Sequence, residues 1–444
     1  MKILLVYCNP SPSPYPVYPL GMSVVAQALE KAGHAVLQYD LFSQDFDYEH
    51  LKKTVTAENP GVVGISFRNL DNVNVCAEVH YAQHLRGAVD AIRSVSSVKI
   101  LLGGSGFSVM PERLMEASGA DYGIRGEAER TIVEFVALLE QGKEPASRIM
   151  EEVNPLDAQG MLSAHYSDEL LAAYQKGGCV VPVQTKRGCP HHCVYCTYPL
   201  LEGYVVRPRN AADVIADIRH LLDKGVKQIF FTDSIFNDCF GYYKKLVAAM
   251  EEQGICVPWT GFFRPDFVEP EVIQQMKATG LSSVELGSDA ASDTTLKAMG
   301  KHFDFKTVEE AQRRFIDAGI VVSHYFMMGG PGETKETVEE GIENILRLQG
   351  AASFIFLGIR ILPGTPLEKR ALEEGVIQPD TDLFMPVYYF SPAIDKDWLD
   401  ERLKSAFKKN RHVIYPPNSM DSGLAFLHRL GYAGMSIDML LKKK

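Results

Sequence analysis

The first 140 residues alternate short apolar runs with stretches in which apolar residues return every three or four positions. That alternation is the mark of parallel α/β units. It predicts strands at KILLVY (2–7), HAVLQYD (34–40), GVVGISF (61–67), VKILLGG (98–104) and ADYGIRG (120–126). Helices are predicted between them, in LGMSVVAQALEKAG, in DYEHLKKTVTAEN, within VCAEVHYAQHLRGAVDAIRSV and in PERLMEASG. Five strands with four crossovers make a doubly wound parallel sheet, whose ligand crevice lies beyond the carboxyl ends of the strands. The loops on that rim are NPSPSPYPVYPLG, SFRNLDN, GGSGFS and RGEAE.

Periodicity breaks between about 141 and 178, where GKEPAS and NPLDAQG read as a linker. It restarts at VVPVQT (180–185), and QIFFTD (228–233), VPWTGFF (257–263), SSVELGS (282–288), VVSHYFMMG (321–329) and SFIFLGIRI (353–361) follow at α/β spacing. Six βα units predict a partial barrel with its functional loops at the C-terminal ends of the strands. Residues 371–444 read as a small, mostly helical tail, with helices near 397–409 and 422–431. The expected division is therefore a sheet domain over 1–140, a linker over 141–178, a barrel over 179–370 and the tail.

Composition narrows the function. The 45 basic and 56 acidic residues give a net charge of −11, and no Lys/Arg cluster stands out beyond the terminal LKKK, which argues against nucleic acid as a partner. The apolar start of MKILLVYCNPSPSP is cut short by proline, and no run approaches the ~18 apolar residues of a membrane span. A cytoplasmic protein is expected. In the tail, PVYYFSP (386–392) and RHVIYPP (411–417) could pack in a core or close the barrel mouth, and MSIDMLLKKK (435–444) could form a terminal helix or touch a lipid surface.

Three of the eight cysteines crowd into KRGCPHHCVYCTYP, at Cys189, Cys193 and Cys196, in the loop after the first barrel strand. Cys8, Cys76, Cys179, Cys239 and Cys256 are scattered and read as buried small hydrophobes. Three clustered thiolates in a reducing compartment indicate a metal site, and the count stops one short of the four that a structural zinc or an electron-transfer cluster takes. A cubane of four irons with one iron open to a ligand fits the spacing. Zinc completed by His191 or His192, or three unligated thiols, are the competing readings.

CPHHCVYC resembles the cluster motif of the radical S-adenosylmethionine superfamily, and the likeness continues through VVRPRNAADVIADI, FFTDSIFN, GLSSVELGSDAASDTTLKAMGK, AGIVVSHYFMMGGPGETKETVEEGIE and RILPGTPLEK. It covers about residues 180–368. The resemblance implies a 4Fe-4S cluster whose open iron is chelated by S-adenosylmethionine, and an electron that cleaves the sulfonium to a 5′-deoxyadenosyl radical. It also implies an electron donor such as flavodoxin or ferredoxin. By the same resemblance Tyr195 lies against the adenine, and Glu285 serves the ribose hydroxyls or the methionyl ammonium. Arg264 offers a fork to the methionyl carboxylate, while Asp233 and the glycines Gly329 and Gly330 border the same ligand. An acid and an arginine at a solvated strand end is the competing reading of Glu285 and Arg264, and a plain turn feeding the next helix explains Gly329 and Gly330 equally. Where the family often has two consecutive acids, Ser234 follows Asp233 here.

An α/β sheet ahead of such a barrel resembles the cobalamin-binding branch of the superfamily, through YPLGMSVVAQALEKAGH, LLGGSGFSVMPERLME and YGIRGEAERTIVEFV. The resemblance implies cobalamin over the strand ends, against Ser66, Arg68, Asn69, Gly103, Gly104, Ser105, Gly126 and Glu127. The Asp-x-His-x-x-Gly loop that ligates cobalt in better-known cobalamin domains is absent, since the first histidine is His34. The function expected from the resemblance is methylation of an unactivated carbon of a small-molecule, lipid or natural-product substrate, through the 5′-deoxyadenosyl radical and methylcobalamin. Cobalamin-assisted oxidation, cyclisation or rearrangement is the second reading, and a non-catalytic cobalamin or redox sensor is the third.

Overall fold

The computed structural model describes residues 1–11, 14–434 and 441. The first sheet holds β1 (Lys2–Tyr7), β2 (Ala35–Asp40), β3 (Val62–Ser66), β4 (Lys99–Gly103), β5 (Tyr122–Arg125) and β6 (Ile149–Glu151). All run parallel, in the order β2-β1-β3-β4-β5-β6. β1, β3 and β4 are almost wholly apolar and buried, as parallel strands covered on both faces are. Chain order reverses between β1 and β3, so the loops after those two strands flank the crevice of a doubly wound sheet.

β6 departs from the sequence reading. It lies within the stretch read as a linker, which also supplies the helix Asp168–Lys176. A three-residue strand at a sheet edge, Ile-Met-Glu, is too short to display a period.

The second sheet opens with β7 (Val181–Val183). An antiparallel pair, β8 (Lys186–Arg187) with β9 (Arg207–Pro208), then brackets the cysteine loop. β10 (Ile229–Phe231), β11 (Trp259–Phe263), β12 (Ser283–Asp289), β13 (Val321–Met328) and β14 (Ala352–Leu357) follow, each preceded by a helix that covers the barrel's outer face. β15 (Ile359–Arg360) pairs antiparallel with β16 (Tyr388–Tyr389), and β17 (Val413–Ile414) adds to the edge of β14. The parallel order is β7-β10-β11-β12-β13-β14-β17.

The tail is mostly helical, as expected, but it is not confined to helices. Besides its helices Lys396–Phe407 and Asp421–Arg429, it contributes the seventh strand of the barrel sheet. PVYYFSP packs inward: Tyr389 is fully buried and Phe390 lies against Gly329 and Gly358. The segment 435–444 falls outside the described residues except for Leu441. Among the described residues no helix is long and apolar enough to cross a membrane. Of the five scattered cysteines Cys8 and Cys179 are buried, whereas Cys76, Cys239 and Cys256 are exposed, contrary to the reading of all five as core residues.

The two sheets are fused rather than tethered. One hydrophobic core joins Leu5, Leu29 and Ile132 of the first region to Val181, Ile229 and Trp259 of the barrel. Buried ion pairs reinforce the junction. Asp71, after β3, pairs with Arg360 of β15 at 2.9 Å, both side chains 2% exposed; the guanidinium also donates to the Ile361 and Leu383 carbonyls. On the other flank Arg207 forks onto Glu127 at 2.6 and 3.1 Å, and Arg187 reaches Glu129 at 2.5 Å.

Removing one partner of a buried pair strands the other charge. Asp71→Ala is therefore expected to lower unfolding stability by about 3–5 kcal/mol. Chemical denaturation of the purified chain checks this, and a loss within experimental error would show that the Arg360 guanidinium does not depend on Asp71.

Candidate active site

The strand-end rims of both sheets open onto one cavity of ≈ 1460 Å³. Its first wall comes from the loops after β1, β3, β4 and β5, and contains all eight residues read from the sequence as the cobalamin side: Ser66, Arg68, Asn69, Gly103, Gly104, Ser105, Gly126 and Glu127. Their roles within the wall differ. Gly104 has φ +99°, and a Cβ there would stand 2.6 Å from the Phe67 carbonyl oxygen; one on Gly106 would stand 2.9 Å from that of Arg68. These two glycines let the loops after β3 and β4 pack back to back. Ser105 Oγ ties the same junction by donating to the Arg68 carbonyl at 2.9 Å. Gly103 and Gly126 instead face open space, with no atom nearer than 3.9 Å to an added Cβ.

Arg68 projects among three phenols, Tyr7 and Tyr15 from its own domain and Tyr198 from the barrel. Burial pushes all three up, Tyr198 to about 12, and the Arg68 charge opposes that rise. Tyr7 Oη and Asn9 Oδ1 are buried beside it without a hydrogen bond of normal geometry. Glu127 does not share that freedom. Burial raises its carboxyl, but Arg207 and Arg187 outweigh this and hold it below its usual value, so it serves the domain junction.

The cysteine loop lies between β8 and β9. The Cys189 amide donates to the Gly203 carbonyl at 3.1 Å, and Gly188, at φ +87°, sits against the Val205 backbone. Burial, with a smaller push from the neighbouring cysteines, raises the Cys189 thiol and brings that of Cys196 to about 12, which places the three side by side. Cations face them. Lys301 is hydrogen-bonded to Cys193 and ion-paired with Asp289, and Arg264 lowers the Cys189 thiol. Tyr195 hydrogen-bonds Asp289 and lies 5.5 Å from the Lys301 ammonium across its ring. Among the described residues no three His, Cys, Asp or Glu side chains converge as ligands of a single ion do. The donor set, three thiols with two cations at hand, suits an anionic cluster larger than one metal. The loop reaches the cavity through Thr197 and Tyr198, with the thiols themselves behind that lining.

Four residues read from the sequence as the S-adenosylmethionine side are held by protein partners in the folded chain. Asp233 is completely buried and accepts from Thr185 N and Oγ1 and from Lys186 N and Nζ, at 2.5 to 3.1 Å, which uses its carboxylate fully. Arg264 turns its fork onto Asp266, with two contacts of 2.7 Å. Gly330, like Gly329, donates its amide to Glu333 in a closed turn away from the cavity. Ser234, in the place of a second acid, donates to the Gly188 carbonyl and so steadies the cysteine loop.

Glu285 does line the cavity. The inward side of β12 carries Glu285, Gly287 and Asp289, alternating with buried Val284, Leu286 and Ser288. Burial raises Glu285 to about 7, partly offset by a hydrogen bond from Tyr325 of β13. Phe230, Phe262, Phe354 and Phe356 surround this pair, and Pro417, Met420 and Leu424 of the tail close the wall. The sequence reading missed Tyr15, Tyr325, Lys301 and Asp289. Tyr325 had a usable signal, its inward place in the alternation of β13; Lys301 had none, because only the folded loop brings it to Cys193.

The radical SAM superfamily model matches residues 183–345, and the B12 binding domain model matches residues 11–136. Tryptophan 2-C-methyltransferase of Streptomyces laurentii is 23% identical, over 82% of this chain and 74% of its own length. Cytidylyl-2-hydroxyethylphosphonate methyltransferase of Streptomyces wedmorensis is 24% identical, over 87% and 84%. A solved structure of the radical S-adenosylmethionine methyltransferase TsrM from Kitasatospora setae, with cobalamin and a [4Fe-4S] cluster bound, superposes with a TM-score of 0.88 at 23% identity, covering 99% of this chain and 97% of that one.

Two outcomes are expected from this site. Anaerobic reconstitution should load about four irons per chain, and Cys193→Ala should lose most of them while keeping a folded first sheet. Stoichiometric zinc in their place would overturn the assignment. The second outcome concerns pH. Glu285 keeps its proton in the folded chain up to about 7, against a usual value of 4.5. Its contribution to stability is therefore full below the unfolded value and lost as pH rises through about 7. Glu285→Gln should flatten the fall in stability of the cofactor-free chain between about pH 4.5 and 7, a gain on the order of 3 kcal/mol at pH 8. An identical pH slope in both proteins would refute the raised value.

Proposed function

The chain belongs to the cobalamin-binding branch of the radical S-adenosylmethionine superfamily, and on that premise we propose that it methylates carbon in a small-molecule or lipid acceptor held between its two sheets. One observation carries the proposal: residues of the loops after β1, β3, β4 and β5 and inward residues of β10 to β14 line a single cavity. Groups that act on the same carbon must come within ~3–3.5 Å of it, which one shared chamber permits and two separate pockets do not.

The bound groups supply cleavage of S-adenosylmethionine at the cluster and carriage of a methyl group on cobalt; the chain supplies position and exclusion of water. Cys189, Cys193 and Cys196 hold the cluster, and Lys301 and Arg264 offset its charge. Gly103 and Gly126 leave space against the first wall, where Arg68 offers a cation among tyrosines. The phenylalanines of the barrel keep water from the acceptor, and Glu285 can hold or accept a proton there. An electron donor such as flavodoxin or ferredoxin completes the proposal. Relatives named as methyltransferases over most of their length support it.

The test uses the anaerobically reconstituted protein with reduced cobalamin and S-adenosylmethionine bearing a deuterated methyl group. The expected product without any acceptor is S-adenosylhomocysteine in proportion to bound corrin, with 5′-deoxyadenosine on addition of reductant. Protein that holds corrin and cluster yet releases no S-adenosylhomocysteine would exclude methyl transfer; 5′-deoxyadenosine alone would point to cobalamin-assisted oxidation or rearrangement.

A further inference from the structure

A barrel of this class closes with roughly eight strands, whereas the second sheet has seven and ends at β17 on one side and β7 on the other. Its wall therefore has a seam. Residues beside both edges line the cavity, Phe354 and Phe356 of β14 next to β17, and Val180 and Pro182 at β7. What crosses the seam is not a strand. It is the end of the chain, which sends Met420, Asp421 and Leu424 to the same cavity.

This segment is attached as a flap is. On the β17 side it is rooted twice, because Met420 and Leu441 both pack on the apolar group of Ala352, Phe354 and Ile414. Asn418 adds its bond from Asn74 of the first domain at 3.2 Å. On the β7 side the tip is latched: the Gly434 amide donates to the Gly178 carbonyl at 2.7 Å, just ahead of β7, and His428 Nε2 donates to the Gly434 carbonyl at 2.8 Å. The latch is built around glycine. A Cβ on Gly178, at φ +81°, would stand 2.5 Å from the His428 ring, and one on Gly434, at φ +66°, would stand 2.9 Å from Val180.

Between root and tip the flap is held thinly. Its helix Asp421–Arg429 buries Leu424 and His428, while Phe426 is 55% and Leu430 61% exposed. An element with so few buried groups opens at low cost while the core stays closed. Gly431, at φ +88° with no atom within 4 Å of an added Cβ, leaves the turn behind the helix room to move.

We propose that residues 421–434 are a gate: the tip leaves Gly178, the flap swings about its root on β14 and β17, and the seam opens to pass the acceptor and its product. The movement stands on the contacts of root and latch. That the passing molecule is the acceptor rests on the methyltransferase reading.

Thr232 lines the cavity and is close to cysteine in size, so Thr232→Cys reports access to the chamber. The cluster-loaded full chain is treated with iodoacetamide, alkylation is read residue by residue by peptide mass spectrometry, and hydrogen exchange is followed in the same protein. With the latch intact, position 232 should react about tenfold or more slowly than exposed Cys256, and amides of the flap should exchange faster than those of β13. His428→Ala removes the ring of the latch, and Gly178→Ala drives a methyl into it. Each should speed alkylation at position 232 and exchange in the flap by about tenfold or more, with exchange in β12 and β13 unchanged. Alkylation at position 232 as fast as at Cys256 with the latch intact overturns the gate. So do latch variants that leave alkylation at position 232 unchanged, whether or not flap exchange rises. The two variants act from opposite sides of the latch and the comparison with Cys256 needs neither, so a variant that fails to fold leaves the test decisive. No methyl transfer enters these measurements, and failure of the gate is thereby distinguishable from failure to release S-adenosylhomocysteine.

Discussion

Two sheets that share a reaction chamber cannot bury the rims that face it, so whatever holds them together must act from the flanks. Here the flanks carry ion pairs with almost no exposure: Asp71 with Arg360 on one side, Glu127 and Glu129 with Arg207 and Arg187 on the other. Such pairs contribute little net stability, because desolvation offsets most of the attraction. Their geometry is what matters. A greasy interface tolerates sliding, whereas a fork of 2.6 and 3.1 Å between Arg207 and Glu127 holds in one register only. The wall that holds Arg68 and the wall that holds Glu285 thereby keep a fixed separation across a cavity of ≈ 1460 Å³.

The same economy governs the barrel interior. Alternation along β12 sends Val284, Leu286 and Ser288 to the helices and Glu285, Gly287 and Asp289 inward. A register irregularity interrupts the strand between Leu286 and Asp289, and the environments of the two acids diverge. Lys301 neutralises Asp289 next to the cysteines, while Glu285, among phenylalanines, is raised to about 7. Two carboxyls from one heptapeptide acquire different chemistry from their different neighbours.

Legibility followed the range of the interactions. The cysteines were readable because a cluster motif is local, three thiols in one loop, and the strands of both sheets were readable because burial on both faces writes continuous apolar runs. β6 and β17 were not, since three and two residues cannot display a period and only their neighbours make them strands. Two of the site residues have protein partners that the sequence does not announce. Asp233 and Arg264 stand where a ligand would be expected, yet Thr185, Lys186 and Asp266 reach them first, and those partners emerge only on folding. The cobalamin-side residues all reached the cavity, but Gly104 and Ser105 serve loop packing as well, a double duty no motif announces.

The tail completes the chamber in a way that ties specificity to folding. Its β17 joins the barrel edge at Ser353 and Phe354, and the segment directly after it supplies Pro417, Met420 and Leu424 to the cavity. Asn418 is bonded to Asn74 of the first domain at 3.2 Å. One short segment therefore touches barrel, first domain and cavity together. Substitutions there can alter the shape of the chamber without touching the cysteine loop or the loops beneath Arg68. A fold arranged like this can hold its cofactor walls constant while the third wall varies, which is the physical requirement for one reaction to serve acceptors of different outline.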